Sequence, residues 1–135
     1  MTVEPARAHV PVPVVLVAHG SRAAAANEAH VAAAAALAER TGRPVHPAFL
    51  ELAEPTIPDA IVAAAAGGTP RVEVLPHLLY PGRHVREDIP ALVAQAADGL
   101  PGTEVVLLAA SGEAAAMVDL LASLLAPDPG ARTMF

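Results

Sequence analysis

The chain has 135 residues, a formal net charge of −6, eight arginines, no lysine and no cysteine. That length leads us to expect one domain, able to bury roughly two-thirds of its unfolded surface. The missing cysteines exclude disulfides and thiolate metal sites, the missing lysines exclude Schiff-base and P-loop chemistry, and the acidic balance argues against a general nucleic-acid or membrane-surface partner.

The beginning, "MTVEPARAHVPVP", carries acids and prolines where a signal peptide would carry an apolar core. No apolar run reaches the length of a membrane span. A cytoplasmic protein is expected, with residues 1–11 as a flexible lead, 12–126 as a single α/β domain and 127–135 as a tail.

In chain order, residues 12–18 form a continuous apolar run of strand length. Such a run suits a strand buried on both faces of a parallel sheet. It passes directly into His-Gly-Ser-Arg. The alanine-rich stretch 22–40 predicts a helix stopped by Thr41-Gly42. Residues 44–50 are a second strand, which Pro47 suits to an edge position. Residues 55–66 predict a helix with Pro58 near its first turn, closed by Gly67-Gly68. Residues 71–75 are a third strand. Residues 76–85 read as a loop with Pro81-Gly82 as a type II turn, and 88–97 as a helix for which Asp88 is the simplest N-cap. A fourth strand, 104–109, and a last helix, 113–125, complete the chain. This βαβαβαβα order with short connections predicts a small parallel four-stranded sheet, strand order 2-1-3-4, with helices on both faces, flavodoxin-like.

In open parallel sheets, ligands bind beyond the carboxyl ends of the strands. His19 follows the first strand and Glu51 the second, while His84 falls in the loop after the third. With order 2-1-3 these strand ends lie within roughly 10 Å of one another. Two imidazoles and a carboxylate suit a divalent first-row metal. Gly20 is expected to let a bulky ligand approach the backbone. Each residue has an ordinary alternative: a solvated strand-end histidine, a surface acid, a histidine that merely follows a turn. His77 is read first as a packed core histidine and second as an additional ligand. Asp88 has a second reading too, as a partner that orients His84. His9, His30 and His46 are assigned no chemistry, and His30→Ala is expected to be a near-neutral control. Other site types find little support. No G-x-S-x-G elbow surrounds Ser21, no glycine-rich nucleotide motif occurs, and two Phe, one Tyr and no Trp offer little stacking surface.

Three blocks, "LVAHGSR", "AFLELAEPTIPDAI" and "LPHLLYPGRHVREDIPAL", in this order and with His19 and His84 65 residues apart, resemble the small single-domain sirohydrochlorin chelatases (CbiX/SirB-like, class II). The resemblance implies a homodimer that inserts Co²⁺ or Fe²⁺, in some branches Ni²⁺, into sirohydrochlorin for siroheme or cobalamin synthesis. It implies no permanently bound cofactor and no nucleotide. Carried over by motif, His19 and His84 are the metal and catalytic histidines and Glu51 the accompanying acid. The substrate's eight carboxylates would call on the cations flanking the site, Arg22, Arg83 and Arg86, on the helix start near Ser21, and on Gly20 and Tyr80. A non-catalytic metal or tetrapyrrole carrier on the same fold is the alternative. The chain departs from the family pattern at His77, where relatives often have an aromatic residue, and in "LAASGEAAA", which lacks a "PLG"-like turn.

Overall fold

The computed structural model describes residues 10–128; residues 1–9 of the expected lead and 129–135 of the expected tail lie outside the described residues. Four strands, β1 (Val14–Ala18), β2 (Val45–Phe49), β3 (Arg71–Pro76) and β4 (Glu104–Leu107), pair in parallel in the order β2-β1-β3-β4. This is the expected topology. β1 lies inside the sheet with its first four residues buried, which is why its sequence is apolar without alternation. β2 is an edge, and Pro47 therefore removes no bond from a second neighbour.

Four helices, α1 (Ala24–Thr41), α2 (Ile57–Ala64), α3 (Arg83–Asp98) and α4 (Ala116–Ser123), accompany the strands. Val15, Val17, Val72 and Val74 pack against Ile57, Ile61, Ile89 and Val93 of α2 and α3, forming the main core on one face. Each such side chain contributes roughly 1.5–3 kcal/mol when fully buried. On the other face, α1 lays His30 over Leu16 and Phe49. Near the amino ends of the strands, Glu73 of β3 accepts from both Arg43 and Arg71, and these guanidiniums hold its carboxyl below the usual carboxylate range. No helix among the described residues is long and apolar enough to cross a membrane.

Two boundaries differ from expectation. α3 begins at Arg83 rather than Asp88, so Asp88 is not its N-cap. Gly82 holds that position in an extended conformation (φ −74°, ψ 175°), which removes the expected type II turn, because that turn needs a positive φ there. Pro90 then lies inside α3 rather than opening it. β4 stops at Leu107, and a 3₁₀ turn, Ser111–Glu113, precedes α4.

Candidate functional site

The ladder between β1 and β2 continues past the strand ends. Leu50 N–H donates to Ala18 O at 2.9 Å, and Glu51 N–H donates to His19 O at 3.0 Å. This continuation sets His19 and Glu51 side by side, with Nε2 of the imidazole 3.6 Å from Oε1 of the carboxylate. Both side chains are about half exposed, at 50% and 56%. Gly20 is required by this packing. Its φ is +98°, and a Cβ there would stand 1.8 Å from the Glu51 carbonyl oxygen. The absent side chain thus makes room for the neighbouring loop. Ser21 closes the turn into α1. Its N–H donates to Asn27 Oδ1 at 3.0 Å, its carbonyl accepts from Asn27 Nδ2 at 2.7 Å, and its hydroxyl accepts from Ala23 N–H at 3.0 Å.

His84 stands in the first turn of α3, on a helix rather than in a loop. It shares one open cleft of about 420 Å³ with His19, Glu51 and Asp88, walled by Leu50, Val85 and Leu92. Among the described residues no three His, Asp or Glu side chains stand close enough to enclose a metal ion. The cleft thus offers a pre-formed imidazole–carboxylate pair, with a second imidazole and a second carboxylate further along its wall. Asp88 follows His84 by one helical turn, which puts both on one face. Their shared face follows from a helix that starts before His84.

The flanking cations are unequal. Arg83 pairs with Glu87 at 3.3 Å, and Arg86 donates to Glu113 at 3.0 Å and to Pro81 O at 3.0 Å. Among the described residues, Arg22 alone of the three carries no ion pair. Tyr80 is 86% exposed, and Leu52 (φ +66°) and Leu79 are exposed apolar residues in the loops at this same edge.

His77 and His30 both stand differently from expectation. His77 is exposed, not a packed core residue; its Nδ1 lies 2.9 Å from Ser111 Oγ. His30 is the buried one. Its Nε2 donates to Leu16 O at 2.8 Å, and its ring meets Phe49 edge-on and stacks over His77 with centroids 6.3 Å apart. Burial lowers its pKa from the ordinary histidine value.

The fold and this edge define a small parallel α/β protein with an imidazole–carboxylate cleft at the carboxyl ends of its strands. The CbiX family model matches residues 13–127, and the chain belongs to that family. It is 38% identical over 109 residues to the chloroplastic sirohydrochlorin ferrochelatase of Arabidopsis thaliana, covering 80% of this chain and 48% of that protein. It is 41% identical over 80 residues to the sirohydrochlorin cobaltochelatase of Methanocaldococcus jannaschii, covering 58% of this chain and 56% of that one. The chain spans about half the length of these curated relatives. Among solved structures, a CbiX protein from Marinobacter aquaeolei VT8 superposes with a TM-score of 0.73 at 27% identity, covering 84% of this chain and 92% of that chain. SirB from Bacillus subtilis with Fe³⁺ superposes with a TM-score of 0.74 at 26% identity, covering 84% of this chain and 46% of that chain.

Proposed function

We propose that the protein inserts a divalent metal, Co²⁺ or Fe²⁺ and in some settings Ni²⁺, into a sirohydrochlorin-type tetrapyrrole. The observation that carries this reading is the His19–Glu51 pair at 3.6 Å, opening onto a cleft that also holds His84, in a chain of the CbiX family. Relatives named sirohydrochlorin ferrochelatase and cobaltochelatase support the reaction and the choice of iron or cobalt.

Metal insertion exchanges two pyrrole N–H protons for one dication. His19 and His84 serve as metal ligands and as proton acceptors, which neutral imidazoles can do near neutral pH. Glu51 offsets the charge of the partly dehydrated ion. An enzyme that must hand its metal to another ligand has no use for a closed coordination shell, and an incomplete donor set fits that task. The substrate's carboxylates dock on Arg22 and Arg83, with Gly20, Ser21 and Tyr80 lining the approach. Arg86 shares this rim, but its guanidinium is already held by Glu113. No resident cofactor takes part.

The same proposal includes a homodimer and a cytoplasmic setting. Support for association comes from α4. It buries no residue, and Val118, Leu120, Leu121, Leu124 and Leu125 in and just after it are exposed. Contiguous apolar surface of this kind marks an interface.

Absorbance spectra of anaerobic sirohydrochlorin with Co²⁺ test the reading. Conversion of many equivalents at substoichiometric protein, above the uncatalysed rate, is expected. Bound but unconverted pigment, or one stoichiometric event, would assign the protein to a carrier role.

A further inference from the structure

We propose that the 3₁₀ turn after β4 positions His84: Ser111, Gly112 and Glu113 form a seat for the segment that carries it, and Glu113 acts through Arg86. This proposal rests on the assignment of His84 to the metal-insertion site.

His84 needs outside support. Its side chain makes no hydrogen bond or ion pair among the described residues, so its place is set by the first turn of α3 alone. That turn has no side-chain cap at Gly82, and residues 82–84 are exposed. An uncapped, exposed first turn frays readily. The seat supplies the missing attachments. Gly112 N–H donates to Leu78 O at 2.9 Å, and the Ser111 hydroxyl donates to the same oxygen at 3.4 Å. Ser111 Oγ also lies 2.9 Å from His77 Nδ1. Further along, Arg86 reaches back to Pro81 O and across to Glu113, one from each side of His84 in sequence. Glu113 is itself fixed, because its second carboxylate oxygen accepts from the N–H of buried Ala110 at 3.2 Å. The contact is close enough to demand glycine. A Cβ on Gly112 would stand 1.8 Å from Leu79 O. The chain from β4 to His84 is therefore continuous: Ala110, Glu113, Arg86, then the helical turn. Arg86 is a positioning residue in this account, not a docking cation.

Glu113→Gln in the full chain keeps the shape and removes the charge that holds Arg86. Its kcat for Co²⁺ insertion should fall roughly tenfold, since small misplacement of a reacting group is costly. The KM for sirohydrochlorin should change less than about twofold, and melting should stay within about 2 °C, as an exposed ion pair adds little stability. On a His84→Ala background the same substitution should cause no further loss, because the two act as one unit. Gly112→Ala, which moves the seat without touching a charge, should also lower kcat more than it raises KM. Wild-type kcat in Glu113→Gln beside an inactive His84→Ala would overturn the brace alone. A raised KM at unchanged kcat, or a full additional loss on the His84→Ala background, would do the same. Wild-type turnover in His84→Ala would instead overturn the site assignment on which the brace rests.

Discussion

His19 and Glu51 meet because the β1–β2 hydrogen-bond ladder continues past the ends of both strands. Their nearness could be anticipated, since each follows directly on an apolar strand. Their chemistry differs, and substitution should separate it. Glu51→Gln keeps the shape and should weaken Co²⁺ binding, followed by titration, more than tetrapyrrole binding, followed by pigment fluorescence; equal losses would contradict a metal-directed role. His30 was illegible in the sequence. Its partners Leu16 and Phe49 lie far along the chain, and nothing in an alanine-rich helix announces a buried imidazole. It is accordingly no neutral control. His30→Ala removes the donor to a buried carbonyl and opens a void, and should cost roughly 2–4 kcal/mol in denaturant unfolding. His30 also predicts a pH dependence. Burial lowers its pKa in the folded state, so the unfolded chain binds the proton more readily. Its contribution is then complete above about pH 6.5, the unfolded histidine value, and is lost as pH falls below it. Melting temperatures measured from pH 7.5 down to 5.5 should fall in the wild type, and a rise over that range would contradict the assignment.

At the scale of elements, strand order and the edge position of β2 followed from apolar runs, short connections and one proline. The start of α3 did not. Proline favours the first turn of a helix, and Ile89-Pro90 after Asp88 reads naturally as such a start. The apolar positions Val85, Ile89, Val93 and Ala96 nevertheless keep helical spacing back to Arg83, and their burial against the sheet outweighs the bond that Pro90 cannot make. Gly20 presents the opposite case. Its importance was legible but its reason was not, because the obstruction is the backbone of Glu51, on another loop. Gly20→Ala should force the two loops apart and destabilise the fold by about 2 kcal/mol or more. It should also reduce insertion in the fraction that still folds. A variant with wild-type melting and turnover would contradict the packing account.

For the whole molecule, an α/β sheet this small presents its site at an open edge, and among the described residues α4 leaves a row of leucines exposed. We expect a dimer at micromolar concentration by light scattering, converted to monomer by Leu121→Asp with Leu124→Asp, with insertion reduced. A wild-type monomer that is fully active would contradict that expectation. The central claim is that the imidazoles at this edge carry out the insertion. Its most direct test is the initial rate of Co²⁺ insertion into sirohydrochlorin by His19→Ala, at matched folded concentration, with His46→Ala near the opposite end of the sheet as control. Circular dichroism and melting of His19→Ala should stay near wild type, since the side chain is half exposed. Its catalysed rate should fall by about 10²–10⁴-fold, the usual contribution of a general base, while His46→Ala stays near wild type. A wild-type rate in folded His19→Ala would contradict the account.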